Sequence, residues 1–231
     1  MKIEKKLAST GYWLFRWRSY FPIILILIFI PAMLEYKYIG GDREMTTIWG
    51  LISLLVGLLG LFFRILVVGH TPRNTSGRNT RKQIAEVLNT TGWYSVVRHP
   101  LYLGNYLMGL GIALFPCIWW MPVIYTLSFT IYYERIMAAE EDFLKSKFGE
   151  DFEKWSKVTP GFFPSFTKWD TPSLKFSFKN ILRREYSSLF ALVFCFSILD
   201  LIGNFVVVKK FFVVPMWGYL FCISLFAYLI L

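Results

Sequence analysis

Residues 91–104 read T-G-W-Y-S-V-V-R-H-P-L-Y-L-G, and the chain runs on as N-Y-L-M-G-L-G-I-A-L-F to Phe115. An arginine, a histidine and two tyrosines therefore stand at the mouth of an apolar run. Pro100 is suited to be the first residue of a helix, where its missing N–H is one that no helix would use. A helix over Leu101–Phe115 is expected, with polar chemistry delivered to its N-terminal end.

Downstream, Pro116–Pro122 forms a tight reversal, and Met121–Phe148 is a second long helix that leaves the apolar layer near Glu134. Gly149 is placed as its stop. Upstream, His70–Thr91 is a basic connector rich in Asn, Ser, Thr and Gly. Before it lies an apolar span over Thr46–Gly69, whose Gly50, Gly57 and Gly60 permit close helix approach. Arg64 is the one charge of that span, positioned either to snorkel or to face a cavity and substrate. An earlier span over Phe21–Leu34, extended from Tyr20 through Ile39, is kinked at Pro31 and ends in the Gly40–Asp42 turn. After Gly149 the chain reads as a short helix and an extended strap along the membrane face, with P-G-F-F-P at Pro160–Pro164. Two more spans follow, Ser187–Val208 and Phe211–Leu231. Asp200, costly in lipid, should face protein or water.

The fold class is thus an all-α integral membrane protein with about six transmembrane helices. Of the 231 residues, 55% are hydrophobic and only 17% charged, which sets aside a soluble bundle. The net charge of +10 comes from Lys and Arg flanking apolar segments. Anionic head groups and the positive-inside rule account for it, and no nucleic-acid partner is expected. Basic residues concentrate at the N-terminus, in the connector and after Arg135, so both termini are expected in the cytoplasm, in a bacterial inner membrane or the endoplasmic reticulum. Four regions result: a basic, aromatic interfacial segment at 1–20, two spans and the connector at 21–90, a core at 91–166, and the strap with the last two spans at 167–231. Cys117, Cys195 and Cys222 lack metal-ligand spacing with either histidine and read as small apolar residues, so no metal centre is expected.

Antiparallel neighbours joined by a short reversal return to the same face, so Arg98–Tyr102 and Glu134–Glu141 should meet at a cytoplasmic pocket. At ~100° per residue, Glu134, Ala138 and Glu141 share one face of their helix, while Glu140 and Arg135 point elsewhere. The set offers anion donors (Arg98, His99, Arg135), cation acceptors (Glu140, Glu141) and aromatic faces (Trp93, Tyr94, Tyr102). That combination suits a zwitterionic aromatic ligand with a positive centre, because aromatic faces attract onium groups. S-adenosylmethionine meets that description.

R-H-P-L-Y-L-G at Arg98–Gly104 resembles the R-H-P-x-Y-x-G of the isoprenylcysteine carboxyl methyltransferase family and its phospholipid methyltransferase relatives. E-E-D-F-L-K-S-K-F-G at Glu140–Gly149, with the P-x-x-x-P turn after it, resembles the same family's second block. The match runs from about Gly92 to Pro164, departing at Phe152 and Trp155, where the family has tyrosines, and at Thr159-Pro160. The resemblance implies that Tyr94, Arg98, His99, Pro100 and Tyr102 line the S-adenosylmethionine pocket and that Glu140 and Glu141 hold the cofactor. It also implies Arg135 beside the acceptor, and Asn79 with Glu86–Asn89 closing over the nucleoside.

The expected activity is S-adenosylmethionine-dependent methyl transfer to the polar end of a lipid or lipidated molecule. The basic connector favours a carboxyl or phosphate acceptor, hence O- over N-methylation, with Arg64, Arg73, Arg78 and Arg135 as substrate-binding candidates. The candidate catalytic residues are Arg135, Glu134 and Glu141, the two carboxylates serving as base if the acceptor must lose a proton. The alternatives are an NADPH-dependent reductase of the sterol type, similar around R-H-P-x-Y-x-G, and a non-catalytic membrane scaffold. The Glu140–Glu141 pair and the short chain favour the transferase. The acceptor's identity and the oligomeric state are open at this point.

Overall fold

The computed structural model describes residues 2–17, 29–72, 83–212 and 214–231, all of them helical or irregular, with no strand among them. The helices are α1 (Lys2–Trp17), α2 (Arg43–Gly69), α3 (Trp93–Val96), α4 (Pro100–Leu114), α5 (Trp120–Phe148), α6 (Glu150–Val158), α7 (Phe178–Val208) and α8 (Pro215–Ile230). Of the first expected span, residues 20–28 lie outside the described residues; residues 29–34 are helical, and the helix ends at Leu34 and does not continue to Ile39. Arg73, Arg78 and Asn79 also lie outside them.

Among the described residues, α2 and α7 are long and apolar enough to cross a bilayer, at 27 and 31 residues. Only 39% and 44% of their most apolar windows are buried inside the protein. Most of each window therefore faces outward, unlike the core helix of a soluble protein. Helices α4 and α8 are apolar but shorter. Helix α5 runs unbroken from its apolar half into a charged one, and Gly149, at φ 52°, ends it in the left-handed region that favours glycine.

The chain folds as two compact units. The first comprises Met1–Ile23, Leu66–Leu103 and Leu127–Ser177, and the second comprises Ile24–Ile65, Gly104–Thr126 and Phe178–Leu231.

The second unit is built on an aromatic and aliphatic core of Met33, Tyr36, Leu54, Phe115, Leu192, Phe196, Leu199 and Trp217. Small residues let its helix backbones touch. A Cβ on Gly60 would lie 2.6 Å from the Gly104 carbonyl oxygen, and one on Gly104 would lie 2.4 Å from the Arg64 Cγ. The glycine that closes the R-H-P-L-Y-L-G motif is thus required where the Arg64 side chain passes. Arg64 does not snorkel outward. Its Nε and Nη2 donate to Glu185 Oε2 and Oε1 at 2.9 and 2.7 Å, and its Nη1 donates to Asn105 Oδ1. Glu185 is 3% exposed, so the bidentate pair is a desolvated one joining α2 to α7, with Asn105 of α4 as its third member. Asp200 faces protein as expected, accepting from the Val214 N–H at 2.8 Å and from Asn204 at 3.0 Å.

In the first unit, α1 lies against the charged half of α5. A Cβ on Gly11 would sit 1.9 Å from the Arg135 carbonyl oxygen, so only glycine allows this approach. Tyr12 donates to Asp142 at 2.9 Å and Tyr132 donates to the Leu14 carbonyl at 3.2 Å, fixing the same contact at both ends.

Removing one partner of a buried ion pair strands the other charge, at a typical loss of about 3–5 kcal/mol. Glu185→Ala is expected to lower the stability of the detergent-solubilised protein by that amount in unfolding titrations. The Arg64→Met/Glu185→Leu double variant should lose less than the two single losses together. Additive losses would mean that the two side chains do not act as a pair.

Candidate active site

In the first unit, the start of α4 and the charged half of α5 bring Arg98, His99, Tyr102, Glu140 and Glu141 together. His99 precedes Pro100, the first residue of α4, so the backbone N–H groups of Arg98 and His99 fall outside the helical ladder. They donate instead to the carbonyls of Pro160 and Gly161, at 2.8 and 3.3 Å. The side chains are thereby fixed from behind by the P-G-F-F-P turn.

The imidazole of His99 is 7% exposed. Its Nε2 lies 2.9 Å from Glu141 Oε1 and its Nδ1 lies 3.5 Å from Glu140 Oε2. Burial alone would depress its pKa, but the two carboxylates outweigh that and hold it above the ordinary histidine value. Burial pushes Glu141 up, yet hydrogen bonding and charge from His99, then Arg98, hold it below the ordinary carboxylate value. Arg98 Nε lies 3.0 Å from Glu141 Oε1, an ionic approach without an aligned hydrogen bond. Its Nη1 donates to the Ser156 carbonyl at 2.7 Å. Tyr102 donates its hydroxyl to Glu140 Oε1.

An aromatic wall continues from this cluster. Tyr102 stacks on His99 at 5.7 Å and lies 4.7 Å from Tyr133, which stacks on Phe129 at 4.1 Å. Ring faces beside carboxylates form a surface suited to a cation. Tyr94, on α3, takes part through its backbone. Its carbonyl accepts from Trp155 Nε1 at 2.9 Å, so the tryptophan at a tyrosine-like position anchors α6 to the motif.

The helical wheel needs correction at α5. Glu140 does not point away, for it reaches Tyr102 and His99 alongside Glu141. Glu134, which the wheel placed with Glu141, is exposed and makes no ion pair among the described residues. Arg135 faces α1. Its guanidinium donates to the Ile131 carbonyl and, with Ser9, Thr10, Trp13 and Leu14, lines a recess of about 420 Å³. Arg64 is committed to Glu185 and Asn105. Two features escaped the sequence reading. The hydroxyl pair of Ser9 and Thr10 carries no motif, and Gln83 gave no signal at all. Both amide atoms of Gln83 are buried without a hydrogen-bond partner, a costly state that a polar ligand would relieve.

Residues 46–151 match the family model described as phospholipid methyltransferase, an interval that contains both halves of the cluster. The chain is 27% identical over 158 residues to a nickel-cobalt-cadmium resistance protein of Alcaligenes xylosoxydans xylosoxydans, covering 68% of this chain and 67% of that one. It is 28% identical to a delta(14)-sterol reductase of Candida albicans over 54% of this chain and 30% of the reductase. It is 30% identical to the protein-S-isoprenylcysteine O-methyltransferase of Schizosaccharomyces pombe over 34% of this chain and 33% of that enzyme. The chain thus spans about two thirds of the first relative and about a third of the other two. No solved structure is significantly similar to it.

The His99–Glu141 pair predicts a bell in stability against pH. A raised histidine contributes fully below its ordinary value of 6.5 and loses that contribution as pH rises through its folded value. A lowered glutamate contributes fully above 4.5 and loses it as pH falls through its folded value. The pair should therefore contribute most between pH 4.5 and 6.5. His99→Asn is expected to remove the alkaline limb of a melting-temperature profile. An unchanged alkaline limb would assign that limb to another group.

Proposed function

We propose that the chain is a membrane-embedded S-adenosylmethionine-dependent methyltransferase acting on the polar end of a lipid or lipidated molecule, a reading supported by the match of residues 46–151 to the phospholipid methyltransferase family model. The observation that carries this reading is the cluster of Glu140 and Glu141 with Arg98, His99 and the Tyr102–Tyr133 wall. Both carboxylates keep lone pairs beyond those used by His99, Arg98 and Tyr102, and these can hold the amino group of the cofactor. The ring faces suit its sulfonium. The buried amide of Gln83, donor and acceptor at once, fits the edge of an adenine.

When bound, the cofactor supplies an electrophilic methyl group; the chain supplies placement and electrostatics. His99, held between the two glutamates, orients both carboxylates. With His99 protonated, Arg98 is the second cation, so the four groups balance and the site keeps its shape when a ligand cation approaches. An ionised carboxyl or phosphate acceptor needs no base, only alignment and relief of repulsion. Arg135 is the cation that meets such an acceptor on this reading, in the recess it lines with Ser9 and Thr10. The six-span topology, the cytoplasmic orientation and the preference for O-methylation belong to the same proposal.

A second reading has support in the sterol reductase relative, and it requires a nicotinamide dinucleotide instead. The metal-resistance relative's name carries no reading here, since among the described residues no three His, Cys, Asp or Glu side chains converge as metal ligands.

Calorimetry on the full chain in detergent separates the two enzymes. S-adenosylmethionine should bind and NADPH should not; the reverse result would establish the reductase. Glu141→Gln and Glu140→Gln are each expected to weaken cofactor binding roughly tenfold to a hundredfold, the range of one lost charge-assisted hydrogen bond. Arg135→Ala should leave cofactor affinity near that of the parent while reducing methyl transfer to total lipid extract. Equal affinity in all three variants and the parent would move the cofactor away from this cluster.

A further inference from the structure

The strap after α6 does more than connect two helices. Its first limb is bonded to the motif along the backbone. Besides the Arg98 and His99 amides on Pro160 and Gly161, the Ser165 N–H donates to the Val96 carbonyl at 2.9 Å. Gly161 lies so near Arg98 that a Cβ there would meet Nη2 at 3.3 Å. Its last limb is tied to the end of the apolar helix α2. The Ser177 N–H donates to the Gly69 carbonyl at 2.8 Å, and Phe176 packs on His70 at 5.1 Å between ring centroids. Helix α7, the other long apolar helix, begins at the next residue, Phe178.

The strap is therefore fixed at the level where an apolar helix ends, and there it shows aromatic rings to the outside. Phe162 turns inward, 6.4 Å from Phe129, whereas Phe163 is 79% exposed. Phe166 and Trp169 are 64% and 46% exposed, each edge-on to Trp93 of the motif at 6.2 and 5.4 Å. Lys168 and Lys175 are exposed among them. Rings interleaved with lysines at the end of a membrane helix match the chemistry of the head-group layer, with rings in the acyl boundary and ammonium groups at the phosphates.

We propose that Phe163, Phe166 and Trp169 insert into the leaflet as a clasp, and that this seating holds the strap against Val96–His99. The partner is the bilayer surface itself. Seating the rings in lipid favours the closed strap, and the closed strap holds the backbone that presents His99 to Glu141. Assembly of the candidate site is thereby made dependent on the membrane. The inference rests on the membrane-embedded reading above, and the experiment keeps the two apart.

The full chain, with Cys117, Cys195 and Cys222 replaced by Ser, is reconstituted in vesicles of phosphatidylcholine and phosphatidylglycerol. Single nitroxide labels are placed by Phe163→Cys and Phe166→Cys, with Leu55→Cys on the outward side of α2 and Lys154→Cys on α6 as controls. Power saturation compares collisions with oxygen and with an aqueous nickel chelate. Labels at 163 and 166 are expected to favour oxygen at least about fivefold relative to 154. An aqueous reading at both, with a lipid reading at 55, overturns the clasp alone. An aqueous reading at 55 as well sinks the embedded reading and the clasp with it. Dipolar broadening at 163 or 166 would show a second copy covering the strap, and also overturns it. Coupling to the site is read by hydrogen exchange over residues 97–103. Phe163→Ser/Phe166→Ser should speed exchange of the Arg98 and His99 amides at least about tenfold in vesicles. Unchanged exchange would refute the coupling.

Discussion

The first unit is organised around one buried imidazole, His99, whose protonated form the neighbouring carboxylates favour. An imidazolium this deep is tolerable only with opposite charge at hydrogen-bond range, and His99 has a carboxylate facing each ring nitrogen. That single requirement fixes much else. Two adjacent glutamates must project from one turn of α5, and Arg98 must compensate the surplus negative charge. Tyr102, one turn into α4, must spend its hydroxyl on Glu140. Because His99 sits just ahead of α4, that helix takes up its carbonyl but offers its N–H no partner. The carbonyls of Pro160 and Gly161 meet the need. The turn at 160–164 is thus part of the site although it touches no carboxylate.

The same rule governs the second unit. Arg64, Glu185 and Asp200 sit on long apolar helices, and each is met by a protein partner. Such groups are expensive alone and specific when paired. The Arg64–Glu185 pair fixes the rotation of α2 against α7, and the Asn105 contact extends that constraint to α4. Gly60 and Gly104 are what allow the arginine stem to pass between backbones. A charge inside an apolar run is therefore informative in this chain, because its partner must be another conspicuous polar residue.

Most helices were legible because their signals are local. Pro100, Gly149 and the apolar run lengths set the ends of α2, α4 and α5 within a few residues of those observed, and the hairpin argument brought Arg98–Tyr102 to Glu140 and Glu141. Helix α7, however, begins at Phe178, in the stretch read as an extended strap, well before the expected Ser187, because its first turns are polar and carry no apolar run. What was not legible is instructive. A wheel at fixed angle separates Glu140 from Glu141, yet both reach one imidazole, because glutamate side chains are long and approach it from either side. The same wheel favoured Glu134, which is exposed and makes no ion pair among the described residues. The partner of Arg64 lies 121 residues away, beyond any periodicity. Trp155 looked like a substitution for tyrosine; its indole N–H in fact bonds the Tyr94 carbonyl, a role that neither shape nor hydropathy announces.

A charge-balanced cluster also constrains what the site can do. With a protonated His99 and Arg98 opposing Glu140 and Glu141, the four groups carry no net charge, so in that state a ligand cation is drawn by local geometry and not by a bulk field. A fully compensated set is a poor general base, since removing a proton from the acceptor would mean discharging a carboxylate already stabilised as an anion. Glu141 is the clearest case, held below its ordinary value by two cations. Chemistry that needs no proton removal is the better match, and methyl transfer to an acceptor that is already an anion is of that kind. On the proposed reading, Arg135, placed against α1, meets the acceptor's charge while the cluster meets the cofactor's. That proposed division of labour rests on where the cations stand: Arg98 and His99 against the glutamates, and Arg135 against α1.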